Sequence, residues 1–300
     1  MDDNDRLHRF LLEGSRVRGE HIHLDATWRA ILGQADYPPA VRFHLGQAMA
    51  AVALLRATLA AGTNLTLQIR GSGPLHLLVA QCRDGNRLRG LARWSDTASV
   101  PEPGTPLAQV FGVSYLVMTL DTGSGQPYQG IAPLDDATSI GSALQGYFER
   151  SDQLPTRLWL TTDANAVAGL LIQETPLSAE AAPEADPDAW NRATHLASTV
   201  SDGELLGLSA AELLRRLFYE ETVRLFEPEW VSFRCSCSRA RCAQLIQQMG
   251  HDEAQALLAE QGQITIDCEF CNTRYTFDAV DAASLFQSPS GMTPGDTRRH

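Results

Sequence analysis

Four of the six cysteines fall into two short pairs: Cys235 and Cys237 as C-x-C within "FRCSCSRARC", and Cys268 and Cys271 as C-x-x-C within "DCEFCN", with thirty residues between them. Thiolates are soft, negatively charged ligands, and two such pairs separated by a helical insert ("RCAQLIQQMGHDEAQALLAEQG") are how a small four-thiolate zinc site is built. Zinc–sulfur bonds of about 2.3 Å in a tetrahedron place neighbouring sulfurs roughly 3.8 Å apart. A disulfide needs about 2.05 Å. Sulfurs that hold an ion are therefore near bonding reach once it departs, and the site can serve as a switch. Cys242 and His251 lie on the insert, away from the pairs, and read as spectators. Cys82, far upstream in a strand pattern, reads as a small buried apolar residue.

A purely structural zinc ribbon satisfies the same spacing. Local charge favours a reactive site: Arg234, Arg239, Arg241 and Arg274 lie within a few residues of a ligand, and a thiolate among cations stays deprotonated and open to oxidants. The same arginines can equally bind an acidic partner or balance the negative charge of the site.

The residues that must position these sulfurs, from about Val231 to Phe286, number fewer than sixty. A core that small supplies no more than about 3–5 kcal/mol, whereas a structural zinc ion contributes about 10–16 kcal/mol in comparable peptides. Loss of the metal is expected to unfold this module. Upstream, Trp190 to Phe226 reads as two helices. The second carries a capping box, Ser209 with Glu212, and an apolar stripe of Leu213, Leu214, Leu217, Phe218 and Leu225. The first, "AWNRATHLASTVSDGELLG", is weak, because Thr194, Ser198, Thr199, Val200, Ser201 and Gly203 all lower helix propensity, so it depends on its neighbours. The stripe is expected to be exposed when the module unfolds.

Before these helices, the stretch Leu177–Asp188 has four acids, two prolines and no base, the composition of a linker. Asp5 to Gln173 mixes patterns. Gly46 to Ala61 reads as a buried helix preceded by a two-proline turn, "QADYPPAV". "NLTLQIRG" sets Leu65, Leu67 and Ile69 on one strand face, and "LHLLVAQC", the Asp84–Gly85 turn and "NRLRGLARW" form an antiparallel hairpin. "SYLVMTLD", "YQGIAPL", "TRLWLTT" and "VAGLLIQ" are further strands, and "SIGSALQGYFERSDQL" is an amphipathic helix. Strands and helices that do not alternate regularly specify α+β. The expected organisation is an N-terminal mixed antiparallel-sheet domain with helices (1–176), an acidic and metastable helical linker region (177–230), a small zinc-binding redox-switch domain (231–287) and a disordered tail (288–300).

Composition narrows the function. The formal charge of -12 opposes salt-driven binding to nucleic-acid backbones. No run is long and apolar enough for a membrane span, and the opening "MDDNDRLHRF" lacks the pattern of a secretory signal. A reducing, cytoplasmic setting is expected, where clustered thiols bind metal or act in redox chemistry.

The zinc motifs "FRCSCSRARC" and "CEFCNTRYTFD" resemble those of the 33 kDa chaperonin family, the redox-regulated heat-shock holdases of bacteria. "DRLHRFLLEGSRVRGE", "QIRGSGPLHLLVAQ", "YQGIAPL", "YFERSDQLPTRLWL" and "LFYEETVRLFEPEWVSFRCSCSR" extend the resemblance over nearly the whole chain. It implies that Cys235, Cys237, Cys268 and Cys271 hold one Zn2+ per chain in the reduced, inactive state. It also implies that oxidation forms Cys235–Cys237 and Cys268–Cys271 disulfides with zinc release, and that the C-terminal module and helical linker then unfold. The oxidised protein would form a homodimer, hold unfolded client proteins without ATP, and pass them to ATP-dependent foldase chaperones.

Rival readings have less behind them. A zinc-ribbon nucleic-acid-binding protein is the main alternative, opposed by the acidic balance; an interaction module with inert zinc is another. For an enzyme, His21 and His23 alternate on a strand, but no third ligand is evident. "GSGP" (Gly71–Pro74) and "TGSGQ" match neither a P-loop nor a dinucleotide fingerprint, and Asp121, Ser124 and His76 lack a nucleophile elbow. No catalytic residue is expected.

Overall fold

The computed structural model describes residues 4–152, 154–175 and 186–286. The linker read over Leu177–Asp188 therefore lies outside the described residues except for its last three positions, and the tail 288–300 lies outside them entirely. The chain divides into two compact units, 1–235 and 236–300.

The first unit begins with a hairpin of β1 (Arg6–Leu12) and β2 (Val17–Leu24), followed by α1 (Ala26–Leu32) and α2 (Pro39–Ala57). The carboxylate of Asp5 accepts the backbone N–H groups of Asp25, Ala26 and Thr27, satisfying the donors at the start of α1 from a distant part of the chain. Then come β3 (Asn64–Arg70), β4 (Leu75–Arg83), β5 (Arg87–Trp94), α3 (Leu107–Phe111), β6 (Tyr115–Asp121), β7 (Tyr128–Pro133), α4 (Ile140–Tyr147, continued by a π-helical turn), β8 (Thr156–Thr162) and β9 (Val167–Glu174). The helices α5 (Ala189–Ala197), α6 (Asp202–Gly207) and α7 (Ala210–Leu217) lead to three short strands, β10 (Val223–Leu225), β11 (Glu229–Trp230) and β12 (Ser232–Phe233).

These strands form two sheets. One runs β10-β1-β2-β9-β8, with β11 also on β1, and all its pairs are antiparallel. The other runs β12-β5-β4-β3-β6-β7, where the β12–β5 pair alone is parallel. The arrangement is the α+β fold expected from the irregular order of elements.

Between the sheets lies α2, packed on β2, β8 and β9 of one and on β3, β4 and β5 of the other. Its sequence explains the position. Alanines dominate it, nearly every residue from Ala40 to Ala57 is buried, and a helix apolar all round must be covered all round. Gly46 and Gly169 permit the close approach: a Cβ on Gly46 would meet Thr162 Oγ1 at 2.6 Å, and one on Gly169 would meet Leu54 Cδ1 at 2.8 Å. His44 is fully buried in this core, edge-on to Phe111, and burial lowers its pKa to about 4.

The opposite face of the first sheet is covered by α5–α7. Ala189, Ala193 and Ala197 of α5, with Leu205, Leu213, Leu214, Leu217 and Phe218, pack on Phe10, Leu12, Val17, Leu170 and Ile172. A weak helix whose buried residues are all alanines, flanked by partly buried Trp190 and Leu196, finds its stability in this contact rather than in its own propensity.

The second unit contains α8 (Arg239–Met249), α9 (His251–Gln261), the hairpin β13 (Ile264–Asp267) and β14 (Arg274–Phe277), and α10 (Ala279–Phe286). Its buried core is Cys242, Ile246, Ala254, Leu258, Ile264, Phe277 and Ala282.

Several local expectations require correction. The helix expected over Gly46–Ala61 spans Pro39–Ala57, because Pro39 sits in the first turn, where its missing N–H costs nothing. The weak helix over Trp190 onward is two helices: the chain breaks at Val200, and a second capping box, Ser201 with Glu204, restarts it. Leu225 belongs to β10 and not to the stripe of α7, which ends at Leu217. The insert between the cysteine pairs is also two helices, divided at Gly250, whose φ of 99° is left-handed backbone that glycine accepts readily.

Glu20 on β2 is buried, and desolvation raises its pKa to about 7 against the opposing pull of Arg18 and Arg9. Because the folded pKa lies above the unfolded value, the stability that the proton confers is complete at low pH and is lost as pH rises through about 7. The substitution E20Q should therefore stabilise the protein, relative to the parent, by on the order of 2 kcal/mol more at pH 8 than at pH 5. Urea unfolding at the two pH values reads this; equal differences at both would contradict it.

Candidate metal centre

The first cysteine pair is positioned by strand addition. Ser232 and Phe233 lie beside Arg87 and Leu88 in the parallel β12–β5 pair, and the Arg234 N–H donates to the Leu88 carbonyl at 2.9 Å. Cys235 follows directly and lies near the side chain of Arg89, whose Nη1 donates to its sulfur at 3.7 Å. Beyond the pair, Ser238 starts α8, its hydroxyl accepting the Arg241 N–H.

The second pair occupies the turn between β13 and β14. The Cys268 N–H donates to Thr273 O at 3.0 Å, and the Cys268 carbonyl accepts from the N–H groups of Cys271 (3.3 Å) and Asn272 (2.7 Å). Asn272, at φ 51°, takes the left-handed conformation that turns the chain back. The C-x-x-C spacing is thus the length of one tight turn, with both thiols on it.

All six cysteines are thiols. The sulfurs of Cys235, Cys237, Cys268 and Cys271 lie within 4.8 Å of one another, and among the described residues they are the one group of three or more metal-binding side chains so arranged. The Cys237 and Cys271 sulfurs, from different pairs, approach to 3.3 Å. Tetrahedral thiolate coordination requires edges of about 3.8 Å. Four soft donors at this spacing fit a single metal ion. Tyr275 donates its hydroxyl to Cys237 Sγ at 3.2 Å, which raises the phenol pKa, and Thr273 Oγ1 lies 3.2 Å from Cys271 Sγ.

Cys242 is buried in the core of the second unit, where desolvation pushes its thiol pKa up. His251 is exposed at the start of α9, with Nδ1 3.3 Å from Asp252 and its ring edge-on to Phe286. Cys82 is wholly buried in β4, with its pKa pushed up to about 12. None of the three belongs to the cluster. His21 is buried on β2 opposite His8, while His23 Nε2 lies 3.1 Å from Leu206 O; the two do not join a metal-binding group among the described residues.

The charge environment differs from the one drawn from sequence proximity. Arg274 forms a two-point pair with Asp267 (2.7 and 2.9 Å), Arg239 donates to Asp281 and to the Thr276 carbonyl (both 2.6 Å), and Arg241 donates to the carbonyl and hydroxyl of Ser236 (both 2.9 Å). Arg89, 146 residues from Cys235, supplies a cationic contact to sulfur that reading neighbours along the chain misses. The only sequence trace of it is an arginine in the hairpin strand.

A family model described as Hsp33 protein matches residues 5–278. The 33 kDa chaperonin of Nitrosococcus oceani is 48% identical over 300 residues, covering 100% of both chains. That of Methylobacillus flagellatus is 45% identical over 302 residues, again covering 100% of both. The crystal structure of the 33 kDa chaperonin (heat shock protein 33 homolog) from Thermotoga maritima superposes with a TM-score of 0.79 over 94% of this chain and 97% of that one, at 21% identity, a likeness of fold.

Replacing Cys268 by serine should lower zinc content per purified chain by more than half and weaken the order of the second unit in reductant, whereas Cys82→Ala should leave zinc content unchanged. Atomic absorption with circular dichroism checks both; undiminished zinc in the Cys268 variant contradicts its assignment as a ligand.

Proposed function

The chain belongs to the Hsp33 family, and we propose that it is a redox-regulated, ATP-independent chaperone that holds unfolding proteins during oxidative stress. The observation that carries this reading is the convergence of four thiols at metal-binding distance beside a core of seven buried side chains among the described residues.

In the reduced state Cys235, Cys237, Cys268 and Cys271 hold one Zn2+ as thiolates. The ion supplies the positive charge that lets four thiolates share one site. An oxidant removes two electrons from each pair, forming Cys235–Cys237 and Cys268–Cys271 disulfides. Disulfide sulfurs carry no thiolate charge with which to retain the ion, so the zinc-binding domain (231–287) loses its main source of stability. The helical linker region (177–230) then exposes the apolar face that it packs on Phe10, Leu12 and Ile172 in the closed form. Client proteins bind that surface and part of the N-terminal domain (1–176) in a homodimer, and reduction returns them to ATP-dependent foldases. The protein works in the cytoplasm, without catalytic residues, nucleic acid or membrane; no helix among the described residues is long and apolar enough to cross a bilayer.

The zinc-ribbon alternative needs free cations near the sulfurs to meet phosphates. The engagement of Arg239 and Arg274 with Asp281 and Asp267 weighs against it.

The test is light scattering from an unrelated, thermally unfolding protein, with the chaperone reduced or pretreated with hydrogen peroxide, and with zinc release and thiol loss counted on the same sample. Suppression of aggregation only after oxidation, together with loss of four thiols and of the zinc, is the expected result. Oxidised protein that leaves aggregation unchanged refutes the reading.

A further inference from the structure

We propose that Arg89 is a positioning residue for the sulfur centre, held by a polar row across the second sheet so that its guanidinium sits on Cys235 and restrains that sulfur's reaction with oxidants. The inference rests on the redox reading above.

The row is continuous. Gln81 Nε2 donates to Thr66 Oγ1 at 2.9 Å, Arg89 Nε donates to Gln81 Oε1 at 2.7 Å, and Arg89 Nη1 donates to Cys235 Sγ at 3.7 Å. Thr66 faces Gln81 in the β3–β4 register and Gln81 faces Arg89 in the β4–β5 register, so three neighbouring strands supply the row at one level of the sheet. Each partner fixes the next. Accepting from Arg89 and donating to Thr66 leaves the Gln81 amide one orientation, and that orientation directs the guanidinium outward to the sheet edge where β12 delivers Cys235. A guanidinium is planar and rigid, so anchoring one nitrogen aims the others.

A side chain that merely stabilised the hairpin would be complete with Gln81. Arg89 extends beyond it to a sulfur, while Arg239 and Arg274, its rivals from closer in sequence, are committed to carboxylates. Hydrogen bonds from outside the ligand set orient metal ligands and tune them. A sulfur already deprotonated on a metal gains no further thiolate fraction from a cation, so a donor that draws charge from it lowers its nucleophilicity.

The reaction concerned is oxidation by a hydroperoxide. The Cys235 thiolate attacks the hydroxyl oxygen, the O–O bond breaks, the departing alkoxide is protonated to an alcohol, and sulfenic acid remains. The second thiolate of the pair attacks that sulfur, the S–S bond forms, and hydroxide leaves to be protonated to water. Two thiolates are oxidised by two electrons and one peroxide is reduced. Arg89 acts on the first step by holding electron density on Cys235 away from the peroxide, and it supports metal retention by orienting that sulfur and offsetting the negative charge of the four-thiolate site.

The experiment follows zinc release with a chromogenic chelator at fixed hydrogen peroxide, and zinc affinity against a competing chelator, in the full-length protein. R89Q should release zinc about tenfold faster and bind it roughly 10–100-fold more weakly, the range for loss of such outer partners. R89K, which keeps the charge without the fork, should fall between R89Q and the parent. Q81L, which removes the anchor but leaves the arginine, should shift both readouts in the same direction by a smaller factor. R274Q, close in sequence but spent on Asp267, should stay within about twofold, as expected of an exposed pair. Parental rates and affinities in both R89Q and Q81L, or slower release in R89Q, overturn the proposal while leaving the four-sulfur site in place. A parent protein that keeps its zinc under peroxide overturns the redox reading instead. If R89Q does not fold, R89K and Q81L carry the comparison.

Discussion

Four sulfurs converge within 4.8 Å of one another; once ionised to thiolates they repel, and they remain neighbours only while positive charge lies among them or while electrons are removed to make sulfur–sulfur bonds. In the proposed mechanism the fold of the last fifty described residues rests on that condition. Their apolar core is small, its helices α8 and α9 are interrupted by Gly250, and its hairpin turns on the second cysteine pair itself. On the proposed redox reading, a change of two electrons per pair acts on a segment with little stability of its own.

The first unit is built on the opposite plan. Its long alanine-rich helix is enclosed by two sheets, and a continuous cluster of buried side chains extends from Leu7 to Val231. The helices α5–α7 occupy an intermediate position. They cover one face of the first sheet through alanines and leucines, with serine–glutamate boxes at the starts of α6 and α7, yet each is under ten residues long, too short to persist without the surface beneath it. An enclosed core, a dependent cover and a small C-terminal unit carrying three of the four clustered cysteines follow one another along one chain.

Much of this was legible in the sequence because it is local. Leu65, Leu67 and Ile69 alternate as a half-buried strand must, Ser209 and Glu212 stand at capping distance, and the C-x-x-C spacing of the second cysteine pair matches the tight turn that carries it. The errors lie where a local signal met a long-range one. The start of α2 was hidden because two prolines resemble a turn until Pro39 is placed in a helix's first turn. Leu225 fits the helical stripe by spacing, but it pairs with Phe10 on β1. The environment of Cys235 was least legible, since proximity along the chain favoured four arginines while the sheet supplied a fifth from a strand far away.

The β12–β5 pair has a consequence for the sheet that carries it. Among the described residues Ser232 and Phe233, with the Arg234 N–H, cap that side, and they form the last strand before the cysteines. Withdrawing them would make β5 a bare border, its outward N–H and C=O groups open to any extended polypeptide able to lie alongside. Such a rim reads main chain and ignores side-chain identity, so a seat vacated there would accept segments of unrelated sequence.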